Sequence, residues 1–176
     1  VTEGGETELD KTVIERLTDP LVHLIRNCID HGIETPDMRE DTGKPRQGII
    51  RLSALHAGIE VIIQIIDDGA GLDRDTIRSR ALARGLISEE DHFSGREIHS
   101  LIFEPGFSTA KDVTDVSGRG VGLDVVKKGI ESLRGSLDIH SQKGVGTTIM
   151  LKLPLTLLII EGLLVRIGDE NFVIPL

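Results

Sequence analysis

Two pairs of short β segments, one on each side of a helical region, restrict the fold more than any other pattern in this chain. Residues 51–56 and 59–67 are rich in Ile and Val and are joined at Ala57-Gly58, which predicts a hairpin. Residues 136–140 and 147–153 alternate in polarity around a glycine-containing turn and predict a second hairpin. Hairpins favour an antiparallel sheet, and the helical region between them predicts one layer of helices against it. We therefore expect an α+β sandwich rather than a doubly wound fold, in which parallel strands alternate with helices.

Helix signals account for much of the remaining chain. Pro20 is tolerated at the first position of a helix and Gly32 can end one, so a helix is predicted between them, with Thr18 or Asp19 as its cap. Residues 9–17 have apolar side chains spaced by four and predict a short helix or a lead-in to the main one. Further helices are predicted from Asp73 to about Arg84, from Ser88, from Glu97 to Phe103 and from about Leu123 to Leu133. Residues 1–8 are predicted to be a loop or a frayed start, and residues 35–48 a loop that can contain one turn of helix.

The composition argues against several classes of protein. The chain has 176 residues, a formal net charge of −9 and no Trp or Tyr, so we do not expect nucleic acid as its partner. Cys28 is the only cysteine, which rules out a disulfide within the chain and suits the cytosol. No signal peptide is recognisable, and the apolar run at residues 155–165 is interrupted and too short to span a bilayer. We expect a cytoplasmic protein without membrane insertion.

The chain is predicted to divide at Pro154. Residues 1–153 are expected to form one domain. Beyond it, residues 163–167 and 172–174 flank a turn and predict a third hairpin. We expect residues 154–176 to be a linker and the first strands of a second domain.

The predicted helix between Pro20 and Gly32 has an unusual polar side. His23, Asn27, Asp30 and His31 fall within an arc of roughly 100° at about 100° per residue. The solvent-exposed face of a helix more often consists of Glu, Lys, Gln or Arg, because these residues favour helix formation. The same pattern also fits an ordinary amphipathic helix whose polar side faces water.

Three glycine boxes follow this helix. Gly118-x-Gly120-x-Gly122 leads into a predicted helix, where backbone N–H groups and the helix N-terminus favour a phosphate. No Gly-Lys-Ser/Thr follows it, so it is not a Walker loop. Asp67-x-Gly69-x-Gly71 and Gly144-x-Gly146-Thr147 are each compatible with a simple turn.

Together and in this order, the helix and the glycine boxes resemble the Bergerat (GHKL) ATP-binding fold of gyrase, Hsp90, MutL-type proteins and histidine kinases. The resemblance extends from about Leu9 onward. Within that superfamily, residues 23–32, 103–109 and 118–126 are similar to the CheA family of chemotaxis histidine kinases. Residues 153–176 resemble the junction with that family's regulatory, coupling-protein-like domain.

The resemblance implies a protein-histidine kinase that uses Mg²⁺-ATP and passes the γ-phosphoryl group to a histidine on a separate domain. Asn27 matches the residue that holds Mg²⁺ against the phosphates. His23 stands where ATP-hydrolysing relatives carry a Glu base, and it is expected to position the γ-phosphate, with His31 nearby as a further catalytic residue. Asp67 matches the adenine reader, whose carboxylate accepts a hydrogen bond from the N6 amine. Thr147 is expected to assist at the adenine end.

The resemblance also implies an ATP lid at residues 104–120, packed down by Phe103 and Phe107. Lys111 is a weaker phosphate candidate in this lid, and Asp68 is expected to be a solvent-facing neighbour of the adenine reader. The implied nucleotide-binding positions are Asn27, Asp30, His31, Asp67, Gly69, Gly71, Ser108, Arg119, Gly120, Val121, Gly122, Leu123 and Thr147.

The partners implied by the resemblance are the phosphoacceptor and dimerisation domains of the same kinase, a coupling protein, chemoreceptors and downstream response regulators. None of the six histidines lies in the family's acceptor motif, so we expect no self-labelling. Two alternatives stay open at this stage. One is a nucleotide-binding interaction module without kinase activity. The other is a gyrase- or Hsp90-like ATPase, which is disfavoured because position 23 is a histidine and not the Glu base of those relatives.

Overall fold

The computed structural model describes residues 1–3, 11–107, 122–155, 162–168 and 170–175. Its helices are α1 (Lys11–Asn27), α2 (Pro36–Asp41), α3 (Arg74–Ala83), α4 (Gly95–Ser100) and α5 (Leu123–Ser132). A π-helical turn at Cys28–Gly32 follows α1, and a 3-10 turn at Leu101–Phe103 follows α4. Its strands are β1 (Thr2–Glu3), β2 (Ile50–Ala57), β3 (Glu60–Asp67), β4 (Ser136–Gln142), β5 (Gly146–Pro154), β6 (Gly162–Ile167) and β7 (Glu170–Pro175).

Five strands form one sheet in the order β1–β2–β3–β5–β4, and β6 pairs with β7 in a separate two-stranded sheet. All neighbours are antiparallel except β1, which runs parallel to β2. The α+β class and all three predicted hairpins are therefore confirmed. Among the described residues, no helix is long and apolar enough to cross a membrane.

The core lies between one face of the sheet and helices α1 and α5. Alternate side chains of β3 point inward, with Val61, Ile63 and Ile65 buried, and Asp67 ends the same inward row. Residue Thr147 lies opposite Asp67 at the corresponding end of β5. A row that is apolar for most of its length therefore ends in two polar residues, and this end of the sheet is the candidate site.

Helix α1 begins earlier than the sequence signals predict. Pro20 lies inside the helix rather than at its first position, although it has no N–H for the bond to the preceding turn. Val13 and Leu17 upstream of the proline are buried in the same core as Leu24 downstream, so burial of one continuous apolar stripe outweighs the lost hydrogen bond. The lead-in at residues 9–17 thus joins the main helix over its described part.

Two other predictions are corrected. Residues 88–91 form a turn rather than a helix start, with the Ser88 amide donating to Asp91 Oδ2 at 2.7 Å. Residues Thr2–Glu3 form the edge strand β1 instead of a loop. The helical turn allowed for within the 35–48 loop is present as the short helix α2, which has Pro36 in its first turn.

The prediction of a helix from Asp73 to about Arg84 is confirmed by α3, where the Asp73 carboxylate caps the Thr76 amide at 2.9 Å. The prediction at 97–103 is also confirmed, by α4 and its 3-10 turn. Ser94 and Glu97 form a capping box at the start of α4. These short helices enclose a second apolar cluster: Ile77, Ala81, Ile87, Ile98, Leu101 and Phe107.

Candidate nucleotide-binding site

Asp67 is the only buried carboxylate in the described part of the chain, with 5% of its surface exposed. Its Oδ1 accepts the Gly69 amide at 3.0 Å. The Thr147 amide and the Cys28 thiol also donate to this carboxylate. Since a carboxylate has about four accepting directions, one remains for a ligand donor.

Burial sets the proton equilibria at this carboxylate. Desolvation raises the pKa of Asp67, while the hydrogen bonds from Gly69, Cys28 and Thr147 act against that rise. Desolvation, together with the adjacent Asp67 charge, raises the pKa of the Cys28 thiol to about 12. The thiol therefore stays protonated and acts as a donor to Asp67 at neutral pH.

Glycines allow three backbone segments to meet around Asp67. A Cβ on Gly69 would lie 2.0 Å from the Gly32 carbonyl oxygen, and one on Gly146 would lie 2.0 Å from the Asp67 carbonyl oxygen. A Cβ on Gly32 would lie 3.5 Å from Asp67 Oδ2, so its absence leaves space beside the carboxylate. Gly71 has a φ of +68° and approaches the backbone of Gln142, the last residue of β4.

Side-chain hydrogen bonds connect the Asp67 end of β3 to the neighbouring hairpin. The hydroxyls of Ser141 and Thr147 lie 3.0 Å apart, and Ser141 Oγ accepts the Leu72 amide at 2.8 Å. The structure therefore brings together the predicted positions Asp67, Gly69, Gly71 and Thr147. Ser141 was not predicted, because a serine in an alternating strand carries no sequence signal that distinguishes it from a surface residue.

The predicted polar side of α1 is present, but its four residues differ in exposure. His23 and Asn27 are half-buried, whereas Asp30 and His31 are exposed on the π-helical turn. In this turn the Ile33 amide bonds to the Cys28 carbonyl at 2.8 Å, five residues back, so the angular spacing differs from that of the α-helix. Burial, and then the nearby Arg26 charge, lower the pKa of His23, which favours the neutral imidazole.

Much of the predicted lid lies outside the described residues. This holds for Ser108, Lys111, Arg119, Gly120 and Val121. At its edges, Gly122 is the residue before the first turn of α5, and Leu123 is half-buried at the start of that helix. Phe103 and Phe107 are buried, and a Glu104–Lys127 ion pair at 2.7 Å connects the beginning of the predicted lid to α5.

The structure also contains a buried ionic cluster that the sequence did not predict. Arg39 on α2 is fully buried and pairs with Glu34 and Asp68, and Lys44 pairs with Glu34 as well. Asp68 is therefore an ion-pair partner of a buried arginine, not merely the solvent-facing neighbour that was expected. Glu34, Arg39 and Lys44 are spaced along a polar stretch, where they look like ordinary surface residues, and Asp68 follows β3 much further along the chain.

A groove of about 670 Å³ reaches Asp67 and Thr147 from the side of β4. Arg74 and Arg96 line it, but His23 and Asn27 do not. The described residues contain no cluster of three or more His, Cys, Asp or Glu side chains able to hold a metal ion. The side-chain amide oxygen of Asn27 is a suitable ligand for a hard cation that takes its other ligands from phosphate and water.

Comparisons with known proteins identify related sequences over nearly the whole chain. A family model described as histidine kinase-, DNA gyrase B-, and HSP90-like ATPase matches residues 16–157. The chemotaxis protein CheA of Cereibacter sphaeroides and that of Bacillus subtilis are each 53% identical over 175 residues, which cover 99% and 98% of this chain. The sensor histidine kinase CheAY of Helicobacter pylori is 53% identical over 178 residues, covering 100% of this chain and 22% of that protein. The two CheA alignments cover 26% of each relative, so this chain spans about a quarter of their length.

Solved structures agree on the fold. The catalytic domain of the histidine kinase ThkA gives a TM-score of 0.51 at 19% identity, covering 89% of this chain and 77% of that one. The histidine kinase domain of a blue-light activated kinase from Erythrobacter litoralis gives 0.51 at 13% identity, covering 88% of this chain and 53% of that one. At these identities the likeness shows the fold alone.

Proposed function

The chain belongs to the family of histidine kinase-, DNA gyrase B-, and HSP90-like ATPases, and we propose that it is the ATP-binding catalytic domain of a chemotaxis-type protein-histidine kinase. In this proposal it binds Mg²⁺-ATP and transfers the γ-phosphoryl group to a histidine on a separate phosphoacceptor domain. The 53% identity to CheA proteins supports this function over those of the wider family. The observation that carries the proposal is the buried, partly satisfied carboxylate of Asp67.

Asp67 is proposed as the adenine reader. Gly69, Thr147 and Cys28 supply three donors, and the remaining acceptor direction suits the N6 amine of adenine. Guanine carries a carbonyl at the corresponding position and would place two acceptors against each other. The space left by Gly32 beside the carboxylate supports a flat ligand at this point.

Asn27 is proposed to hold Mg²⁺, with phosphate oxygens and water as the other ligands. When bound, the ion neutralises charge on the phosphates during transfer. His23, one helical turn earlier and half-buried, is proposed to position the γ-phosphate, with His31 on the adjoining π-helical turn. An imidazole acceptor is itself a nucleophile when neutral, so this chemistry does not require a strong base at position 23.

The nucleotide site is proposed to include Asp30, Gly69, Gly71, Gly122 and Leu123. The predicted lid positions Ser108, Arg119, Gly120 and Val121 belong to the same proposal and lie outside the described residues. We further propose that residues 154–176 begin a regulatory, coupling-protein-like domain. A cytoplasmic location and partnership with phosphoacceptor and dimerisation domains, a coupling protein, chemoreceptors and response regulators follow from the same assignment.

Transfer of label to an acceptor tests the function. The chain is mixed with γ-labelled ATP, Mg²⁺ and a separately purified phosphoacceptor domain of a chemotaxis histidine kinase. We expect label on the acceptor and none on the chain itself. The variant His23→Gln should slow transfer by about tenfold or more through lost γ-phosphate positioning. The matched variant His56→Gln, which is exposed near the end of β2, should leave the rate unchanged.

The outcomes separate the three functions considered for this fold. Absence of label on the acceptor at saturating ATP would contradict the kinase proposal and leave a nucleotide-binding interaction module. Phosphate release that is rapid without an acceptor would instead indicate an ATPase of the gyrase or Hsp90 kind.

A further inference from the structure

Lys44 lies beneath the glycine turn that follows β3. Its ammonium nitrogen donates to Glu34 Oε1 at 2.8 Å, to the Asp68 carbonyl at 2.9 Å and to the Gly69 carbonyl at 2.7 Å. All three donors of the ammonium group are thus engaged. Two of them go to consecutive backbone carbonyls of the Asp67-x-Gly69-x-Gly71 box. This lysine therefore fixes the backbone of the turn and does not form a simple surface ion pair.

Arg39 supports the same turn from α2 and is fully buried. Its Nε donates to the Pro45 carbonyl at 2.7 Å, and Nη1 donates to Glu34 Oε2 and to the Asp68 carbonyl, both at 3.1 Å. Its Nη2 donates to Asp68 Oδ2 at 2.8 Å and to the Gln47 carbonyl at 3.5 Å. The guanidinium therefore has a partner for each of its five N–H groups, as a buried charge requires.

The carboxylates of the cluster are held in the ionised form. Burial alone would raise the pKa of Glu34, but hydrogen bonds from Lys44 and Arg39 bring it below its usual value. Burial also acts to raise the pKa of Asp68, and the Ile49 amide and Arg39 lower it. Glu34 and Asp68 therefore stay ionised at neutral pH. As anions they remain partners for Arg39 and Lys44, which contact the turn.

Arg39 and Lys44 act on two consecutive peptide units of the turn, Asp68–Gly69 and Gly69–Ala70. The Asp68 carbonyl and the Gly69 N–H belong to one planar trans peptide, so they point in opposite directions. Arg39 and Lys44 hold the carbonyl side, and the N–H on the other side donates to Asp67 Oδ1 at 3.0 Å.

The next peptide has the same arrangement. Lys44 holds the Gly69 carbonyl, and the Ala70 N–H donates to the Gly32 carbonyl at 2.8 Å. A charged cluster on one side of the turn is thereby connected through rigid peptide planes to the carboxylate on the other side.

We propose that Lys44 and Arg39 are positioning residues for nucleotide binding, which aim the Gly69 amide at Asp67 and so fix the carboxylate for the adenine amine. This inference rests on the proposed function. It assigns the 34–47 segment a part in nucleotide affinity, although its side chains do not touch Asp67. The electrostatic attraction of the two cations for the carbonyl oxygen also polarises the Gly69 N–H toward a stronger hydrogen bond.

The test compares Lys44→Met with Arg46→Met in the full chain. Arg46 lies in the same loop, but its partners are the exposed carboxylates of Asp37 and Glu40, so it controls for charge removal there. Amide hydrogen exchange without nucleotide reports the turn directly. In Lys44→Met we expect exchange at Gly69 and Ala70 to be about tenfold faster or more, with no matching change at Ile65 in β3.

A second readout is the kinetics of acceptor labelling. Because Lys44 acts only on the adenine end, its loss should raise the KM for ATP about tenfold and leave kcat within about twofold. Arg46→Met should change neither quantity. A general loss of folding would instead raise exchange throughout β3 and lower the active fraction, and hence the apparent kcat.

The positioning role is overturned if Gly69 and Ala70 exchange at the wild-type rate in Lys44→Met, or if KM does not change. If Lys44→Met does not fold, Lys44→Gln keeps a donor and is expected to give a smaller rise in both measurements. Failure of wild type to bind ATP would contradict the proposed function, whereas the exchange experiment needs no nucleotide and still decides whether Lys44 fixes the turn.

Discussion

Asp67 is subject to two opposing effects at the scale of the single residue. Burial at the end of β3 disfavours its charge, and three donors from three different segments favour it. Those donors come from the π-helical turn, the glycine turn and β5, so the carboxylate is oriented only when all three segments are in place. The sequence predicts the residue, but its donor set depends on the tertiary structure.

Asp67→Asn should weaken ATP binding by roughly tenfold or more. The introduced amide presents N–H donors to some of the Gly69, Thr147 and Cys28 donors, and a donor facing a donor costs about 1–3 kcal/mol when buried. Calorimetric titration with ATP measures the affinity, and GTP is the comparison ligand. Urea unfolding of the same variant separates a lost contact from a lost fold, and unchanged ATP affinity would place the adenine elsewhere.

The raised pKa of Asp67 predicts a defined pH dependence of stability. Because the folded-state pKa lies above the unfolded value, this group stabilises the fold fully below the unfolded pKa, and that contribution is lost as pH rises through the folded pKa. The free energy of unfolding of wild type minus that of Asp67→Asn should therefore fall as pH rises from about 3 and level off above the folded pKa.

Urea titrations of the two proteins across this range measure the difference. Subtraction removes the contributions of Glu34 and Asp68, whose lowered pKa values act in the opposite direction. A difference that rises with pH would mean that Asp67 is better stabilised as an anion than its burial suggests.

Close backbone contacts between glycine turns position the elements around the site. The turn at Gly71 packs against the end of β4, where a Cβ on Gly71 would meet the carbonyl oxygen of Gln142 at 2.2 Å. This contact involves two backbones, so a side chain cannot rotate away to relieve it.

Gly71→Ala should therefore destabilise the fold by more than the ~1–2 kcal/mol that a left-handed conformation alone costs an alanine. Gly58→Ala is the matched control, because Gly58 has a φ of +66° and no atom of the described residues lies within 4 Å of the added Cβ. Urea unfolding of both variants gives the comparison. Equal decreases in the free energy of unfolding for the two variants would show that the clash with Gln142 is relieved without an energetic cost.

The elements differ in how far their sequence predicts them. Hairpins β2–β3 and β4–β5 follow from local alternation and short turns, and both are found. Pro20 gives a local start signal that is overruled by burial of Val13 and Leu17 in one stripe with Leu24. Helix α2 has no apolar period at all, and its buried side chain is Arg39, whose partners include Asp68 far along the chain. An apolar period cannot reveal such a helix, because its buried side chain is held by carboxylates and backbone carbonyls instead of apolar packing.

In the candidate site, too, some features follow from the sequence and others depend on the tertiary structure. The family resemblance implies that Asp67 and Thr147 act at the same end of the site, and antiparallel pairing of β3 with β5 places them opposite each other. The sequence does not predict that the Cys28 thiol donates to Asp67. That contact depends on the π-helical turn, for which the sequence carries no recognised signal.

At the scale of the whole molecule, the main core cluster, among the residues whose burial the structure describes, precedes the last hairpin. Its buried members run from Val13 to Leu153, and the Leu155 amide still bonds to the Ile59 carbonyl at 2.9 Å. Strands β6 and β7 pair with each other in a sheet of their own. The family model likewise ends at residue 157.

A chain shortened to end at Leu155 should therefore keep its free energy of unfolding and its ATP affinity. We expect the midpoint of urea unfolding to be unchanged and the affinity for ATP to stay within about twofold. A second chain, shortened to end at Lys152, is the control. It removes Leu153 from the core, which should cost about 2–5 kcal/mol, as for deletion of a buried leucine side chain. Loss of stability in the longer of the two would show that residues 156–176 belong to the nucleotide-binding domain, because only removal of a packed or paired segment lowers the free energy of unfolding.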